Sequence, residues 1–555
     1  MSGHAMGARC LLALGALLTT ALACAGQRPE SPGAASRLRP TRGYILISLD
    51  TLGAAHLGAY GSDRPTSPFF DSLAERGILF ENAFVQYPST LVSHMSLFTG
   101  LYPQQHGVYP PSYRLSPAIA TLPEQFSQGG FRTAGHTEGG FVGRGYGFAR
   151  GFDEFTDPRV EDTTDIERTF EKGLSFLRRL GAEDRFFLFL HTYSIHDPYQ
   201  PPEPYASMFS SDEPPGPRSK LPIGQINAGH QQLGRAEIDY FEALYDGGIR
   251  YADEVLAGFF AELGRLGLEE KTTVVITSDH GEEFLEHHRV GHTQLYPETL
   301  HVPLLVLHPD QRAGRRVPEV VQSIDIAPTL LELAGLPRLE AAAGRSLTPL
   351  LEGDRPAPGA AYAEVLESYR QESLIERRDG RLLQAVETAW RGERGGTWIT
   401  RRVEFDWSEP VLEVSLASFY RPRRLTVIVD GEPLTTLEVG TSWSRRTLEL
   451  PAGGPSPRRI GLATPGCDSP KALGMSEDGR CLSIKVRGIE LRRRELFDLE
   501  ADRAARNDLA RTSPESLAEL AAELDELVWE SVTPPVHEDL GEAEAEALRA
   551  LGYIE

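Results

Sequence analysis

The chain has 555 residues, 40% of them hydrophobic and 24% charged, the usage of a globular protein long enough for more than one core, which excludes a disordered or collagen-like chain. Its formal charge of −23 makes the overall field repel nucleic acid and anionic membrane surfaces. An anionic substrate therefore has to be drawn in by a local site.

The first residues read as an export signal. Arg9 lies in a short leading region, and "LLALGALLTTALAC" (Leu11 to Cys24) is an apolar run too short to span a bilayer comfortably. Residues 1–23 read as a signal peptide and 24–42 as a Pro- and Ala-rich tether. Cleavage before Cys24 leaves a lipidated cysteine, hence a bacterial lipoprotein that is periplasmic or anchored to the outer membrane, touching membrane through the lipid only. Ordinary cleavage at a nearby small residue is the alternative. Farther on only Cys467 and Cys481 remain, and an exported chain allows them to pair as a disulfide.

"YILISLD" (Tyr44 to Asp50) is a continuous apolar run that stops on a carboxylate. "FFLFLHTYSIHDPY" (Phe186 to Tyr199), "TTVVITSDHGEE" (Thr272 to Glu283) and "VPLLVLHP" (Val302 to Pro309) repeat the pattern. Helical stretches such as "GGIRYADEVLAGFFAELGRLGL" separate them, which predicts an α/β fold whose central sheet is covered by helices on both faces. Polar residues gather where each run ends, and in such sheets the ligand crevice lies outside the carboxyl ends of the strands. The histidines agree: eleven of the fifteen fall from His94 to His301, and none between Pro309 and Val536.

The texture changes near residue 396. "RRLTVIVDGEPLTTLEVG" (Arg423 to Gly440) alternates and turns at Asp430-Gly431, a hairpin signal, and two further strand patterns follow. Residues 396–491 read as an inserted β-sandwich-like module between a catalytic domain over 43–395 and its return segment and helices over 492–555. Tyr420 and Trp443 in the module either line a sugar-binding face or fill its core. The clusters Arg421–Arg424 and Arg492–Arg494 read as solvated faces.

Asp50, Asp279 and His280 each sit where a strand ends, and two carboxylates with one imidazole would hold a divalent ion while leaving room for substrate. Alternatively, Asp50 caps the following helix and Asp279-His280 is a turn. Thr90 opens the helix-like "TLVSHMSLFTG". It is either an N-cap or a hydroxyl nucleophile at a helix N-terminus, where free N–H groups attract anions.

Taken in order, "ILISLDTLGAAHLGAYG", "PSTLVSHMSLFTGLYPQQHGV", "FLFLHTYSIHDPYQPP", "VVITSDHGEEFLEH", "GHTQLYPETLHVPLLVLHP" and "ELFDLEADRAARNDLA" resemble the sulfatase family of the alkaline phosphatase superfamily. The resemblance implies that family's α/β sheet. It implies one divalent metal ion on Asp50, Thr90, Asp279 and His280, with Thr90 as the nucleophile. It also implies that His94, His196 and His292 contact the anionic group or the leaving oxygen. A single imidazole among oxygen ligands favours Mn²⁺ or Zn²⁺, with Mg²⁺ or Ca²⁺ as alternatives.

The chain also departs from the family. Sulfatases place a cysteine or serine at the nucleophile position, in a pattern that directs its oxidation to formylglycine; here it is Thr90, so no formylglycine is expected. The second aspartate of the family's cluster is Thr51, and the family's "GKWH" stretch has become "HTEGG", with Glu138 and Gly140 at its Lys and His positions. A formylglycine hydrate expels sulfate by elimination across its own carbon, and a sulfated threonine has no such exit. A phosphorylated threonine can be cleaved by attack at phosphorus. The expectation is an exported metal-dependent hydrolase of phosphodiesters or phosphonate monoesters, resembling the Thr-nucleophile branch with its phosphonate monoester hydrolases and glycerol-phosphate transferases. It could also pass the group to an alcohol. The substrate is a small anionic ester or one linked to glycan or lipid. The alternatives are a sulfuric ester hydrolase and a surface-anchored glycan-binding protein with a vestigial catalytic domain.

Overall fold

The computed structural model describes residues 36–537 apart from 111–112, 158–164, 211–220, 228–229, 312, 367–369, 379, 391–396, 400–401, 408–410, 419–420, 443, 452–457, 466–483, 488–490, 511, 528–531 and 534–535. The export signal, most of the tether, the Cys467–Cys481 pairing, Tyr420, Trp443 and the acidic C-terminal end lie outside the described residues. Among the described residues no helix is long and apolar enough to cross a membrane.

The apolar runs assemble into an eight-stranded sheet, in the order Arg315–Gln322, Ile78–Phe84, Leu304–Leu307, Thr272–Thr277, Gly43–Leu49, Phe186–Thr192, Arg132–His136, Glu154–Thr156. Gly43–Leu49 is parallel to both of its neighbours, and these three central strands are buried along their whole length. Their side chains alternate between two cores, as a period of two dictates. Leu46, Phe187 and Phe189 join the helices Thr90–Thr99, Leu122–Gln128 and Ile326–Leu333 on one face. Ile45, Ile47, Leu188 and Leu190 join Ile166–Arg178 and the long helix Arg235–Arg265 on the other.

Leu304–Leu307 differs from the other apolar runs in running antiparallel to both neighbours. The reason is local. After Asp279 the chain stays at the carboxyl end of the sheet, in the hairpin Glu283–Phe284/Val290–Gly291 and the short helix Pro297–Leu300. The next strand therefore enters from that end and runs back.

Beyond the α/β layer lie three antiparallel four-stranded sheets. One joins Ala360–Leu366, Arg370–Arg378 and Arg381–Trp390 to the late strand Leu491–Asp498. The other two lie in sequence between Trp390 and Leu491, and their inner faces share a core of Val414 and Leu416 with Leu425, Val427, Ile460 and Leu462, a sandwich arrangement. Its strands Arg423–Val429 and Glu432–Val439 meet at Asp430-Gly431, whose φ values of 51° and 91° are the left-handed pair that a two-residue hairpin turn requires. The fold is thus the expected α/β sheet with additional antiparallel sheets in its C-terminal region.

Candidate metal centre and nucleophile

Asp50 directly follows the strand Gly43–Leu49, and Asp279 follows its neighbour Thr272–Thr277 by two residues. Parallel pairing thus delivers both carboxylates to one end of the sheet. Together with His280 they are fully buried, with one donor atom of each lying within 4.8 Å of the others. Asp279 Oδ1 accepts from the backbone N–H groups of Thr51 (3.2 Å) and His280 (3.0 Å). Asp50 Oδ2 lies 3.1 Å from His191 Nε2. The remaining oxygens, Asp50 Oδ1 and Asp279 Oδ2, have no hydrogen-bond partner. Two orphaned carboxylate oxygens in a buried site are costly unless a cation takes them.

His280 fits the same demand. Its Nδ1 donates to the Gly281 carbonyl at 3.0 Å, which fixes the tautomer and leaves the Nε2 lone pair 3.5 Å from Asp279 Oδ2 and 3.5 Å from Thr90 Oγ1. Burial pushes its pKa down to about 4, so it is the neutral imidazole that a metal binds. Gly281 permits the turn: a Cβ there would stand 2.0 Å from the Glu298 carbonyl oxygen. Burial, then the charge of Asp279, raises the Asp50 carboxyl well above its ordinary range. For Asp279 burial pulls upward, but His280, His94 and His191 outweigh it and hold the carboxyl low. Asp50, Asp279 and His280 fit one divalent ion, and Thr90 Oγ1 is in reach as a further oxygen donor.

Thr90 is the first residue of a wholly buried helix, Thr90–Thr99, and Ser89 occupies the cap position. Its hydroxyl faces His280, with Oγ1 3.5 Å from Nε2. Thr51, at the second-aspartate position, turns its hydroxyl to the Asp50 carbonyl at 2.7 Å. Its φ of 58° is unusual for a β-branched residue.

The three other histidines divide. His196 and His292 stay with the centre: the His292 ring is centred 4.2 Å from that of His280 and 5.6 Å from that of His196. His196 donates Nδ1–H to the Asp197 carbonyl, and burial brings its pKa down to about 4. His292 is pulled down by burial, but Glu282, 3.3 Å from its Nδ1, more than offsets this and raises it. The pair therefore offers a neutral and a more readily protonated imidazole side by side. His94 is placed differently. Its Nδ1 donates to the Thr90 carbonyl (2.8 Å) and its Nε2 accepts from Ser48 Oγ (2.9 Å), so both nitrogens are occupied behind Thr90, beside Phe148 and Phe189.

Sequence reasoning missed His191 and Glu282. His191 is a polar residue near the end of the buried strand Phe186–Thr192, beside Asp50, and that position was its signal. Glu282 was visible only as one more acid in "DHGEE". Glu138 holds the crevice wall by accepting from Thr192 Oγ1 (2.6 Å) and the Tyr193 N–H (2.9 Å). A second acidic cluster, His56, Glu242 and Asp246, already holds the Arg64 guanidinium.

Residues 42–336, more than half of the chain, match the sulfatase family. The chain belongs to the sulfatase family. Among its family relatives, arylsulfatase K of Rattus norvegicus is 23% identical over 373 residues, 60% of this chain and 66% of that protein. The multifunctional alkaline phosphatase superfamily protein PehA of Trinickia caryophylli is 31% identical over 212 residues, 34% and 41% of the two chains. The chain thus spans less than two thirds of each of these relatives. A structure solved in complex with its substrate D-glucosamine-2-N,6-O-disulfate superposes with a TM-score of 0.59 at 16% identity, covering 87% of this chain and 97% of that one. The phosphonate monoester hydrolase of Agrobacterium radiobacter gives 0.53 at 18%, covering 90% and 100%. These structural likenesses show a common fold.

Proposed function

We propose that this sulfatase-family chain cleaves phosphodiesters or phosphonate monoesters, with Thr90 as a nucleophile that carries the phosphoryl or phosphonyl group between two half-reactions. The observation that carries the reading is a buried threonine hydroxyl 3.5 Å from His280 Nε2, beside the Asp50, Asp279 and His280 cluster. A divalent ion held by Asp50, Asp279 and His280, with Thr90 beside it, would supply Lewis acidity and lower the hydroxyl pKa; Mn²⁺ or Zn²⁺ suits the donor set best.

The chain's own groups account for the rest. The Thr90 hydroxyl loses its proton to solvent before it attacks. Thr90 Oγ1 bonds to phosphorus as the bond to the leaving oxygen breaks, and His292, the more readily protonated of the two imidazoles, gives that oxygen a proton. In the second half-reaction water or an acceptor alcohol yields its proton to the same imidazole and attacks the phosphothreonine. Thr90 leaves and regains its proton.

The test is side-by-side turnover of an aryl phosphonate monoester, an aryl phosphodiester and an aryl sulfate with Mn²⁺ or Zn²⁺. Phosphorus esters should turn over, and Thr90→Ala should lower their kcat by about 10³-fold or more, as expected for losing an activated nucleophile. Turnover of the sulfate alone would support the second reading, a sulfuric ester hydrolase, which the arylsulfatase relatives favour. The intact metal cluster argues against a vestigial domain that only binds glycan. Export as a lipoprotein remains part of the proposal and is tested by labelling cells with a radioactive fatty acid and comparing Cys24→Ala.

A further inference from the structure

The short hairpin Glu283–Phe284/Val290–Gly291 places two side chains against each other at the crevice. Glu283 pairs with Gly291, so the next positions in register are Glu282 and His292, and Glu282 Oε1 lies 3.3 Å from His292 Nδ1. Gly291 keeps the approach open, with a φ of 90° and a Cβ position only 3.2 Å from Ile223 Cγ2. Glu282 is 1% exposed and its Oε2 has no hydrogen-bond partner. Burying a carboxylate with one oxygen left without a hydrogen-bond partner is costly. Glu283, next in the chain, does a different job: it accepts from the Thr293 N–H (3.1 Å) and Gln294 Nε2 (2.8 Å) and so anchors the backbone beyond His292.

We propose that Glu282 is the positioning residue of His292: it holds the ring by its Nδ1–H, fixing tautomer and plane so that Nε2 meets the leaving oxygen of the ester. This rests on the function proposed above. A base oriented by a third group through its far nitrogen is a recurring device for directing an imidazole. As the bond between phosphorus and the leaving oxygen breaks, the proton on Nε2 passes to that oxygen while Nδ1–H stays on Glu282. Water returns a proton to Nε2 in the second half-reaction.

The experiment compares the full chain, Glu282→Gln and Glu283→Gln, all loaded with Zn²⁺, on esters whose leaving groups run from nitrophenol to simple alkanols. A stable anion departs without a proton and an alkoxide does not, so Glu282→Gln should cost about 100-fold in kcat/KM for alkyl esters and about threefold or less for nitrophenyl esters. Glu283→Gln should lower all substrates by one common factor. A uniform loss in Glu282→Gln as well would overturn the proposal. In parallel, ¹⁵N-histidine spectra of the Zn²⁺ form, assigned with His292→Gln, should show Nδ1 of His292 protonated and hydrogen-bonded both when Nε2 also carries a proton and after it has lost it, and Glu282→Leu should shift the Nδ1 signal. An unmoved signal would also overturn it. If no ester is turned over, the proposed function fails and the spectra still decide the role of Glu282.

Discussion

His94 donates its Nδ1–H to the carbonyl of Thr90, 2.8 Å away and one helical turn back, while Ser48 Oγ lies 2.9 Å from its Nε2. Ser48 stands two residues before Asp50, so one imidazole ties the first turn of Thr90's helix to the strand that carries a candidate metal ligand. Replacing it removes two buried hydrogen bonds and leaves a hole among aromatic rings. His94→Ala should therefore lose about 2–4 kcal/mol of stability and Ser48→Ala about 1 kcal/mol. Metal stoichiometry should be unchanged in both, while turnover falls in His94→Ala because Thr90 is no longer held. Urea melts with elemental analysis check this. Loss of metal from an otherwise stable His94→Ala would instead make the ring a ligand, as the grouping of His94 with His191 and Asp279 allows.

The two orphaned carboxylate oxygens give a second prediction. Without a cation, burial and the charge of Asp279 keep the Asp50 carboxyl protonated; with one, both carboxylates are paired. Chelation should lower the melting temperature. In the chelated protein Asp50→Asn, which imitates the protonated acid, should be at least as stable as the parent and up to about 1–3 kcal/mol more stable above neutral pH. With saturating Mn²⁺ or Zn²⁺ the order should reverse, since the parent gains binding energy that the variant lacks. Melting curves of both proteins, chelated and loaded, are the measurement. An order that stays the same in the two conditions would contradict a metal on Asp50.

Thr51 suggests a third. A β-branched residue at φ 58° is strained, and Tyr245 holds it in place: its hydroxyl donates to the Thr51 carbonyl (2.7 Å) and accepts from the Gly53 N–H (3.0 Å). Tyr245→Phe should cost about 1–3 kcal/mol. It should also weaken metal affinity, because the turn it releases carries Asp50. A competition titration with a chelator reads the affinity; an unchanged value would mean that the strand alone fixes Asp50.

What the sequence disclosed follows from what each residue has to do. Apolar runs ending on acids gave the central strands and their carboxyl-end crevice, because burial on both faces leaves no freedom in composition. Asp430-Gly431 gave its hairpin for a similarly strict reason, two positive φ values in succession. The strands Ile78–Phe84, Arg132–His136 and Arg315–Gln322 were not legible: "ILFENAF", "RTAGH" and "RRVPEVVQ" mix polar and small residues and carry no clear period. The candidate ligands Asp50, Asp279 and His280 were legible because strand ends advertise them. The partners of the histidines were not, since Ser48, His191 and Glu282 reach their contacts only through pairing of distant segments.

Glu138 gives the last prediction, one of pH dependence. Its carboxyl is pushed up to about 7, from an ordinary 4.5, chiefly by burial, which outweighs the hydrogen bonds from Thr192 and Tyr193. The fold therefore holds a proton that the unfolded chain has already released. For an acid raised in the folded state, its contribution to stability is fully present below the unfolded pKa and is lost as pH rises through the folded one. Glu138→Gln imitates the protonated form at every pH and keeps an acceptor for the wall of the crevice. The two proteins should differ by about 1 kcal/mol or less at pH 5, and the glutamine variant should be more stable by about 1–3 kcal/mol at pH 8. Every other titrating group is common to both, so it cancels in the difference. Urea melts of the pair at pH 5 and pH 8 give that difference directly. A gap that is constant, or wider at pH 5, would show that Glu138 is ionised in the fold and that its hydrogen bonds, not its burial, set its protonation.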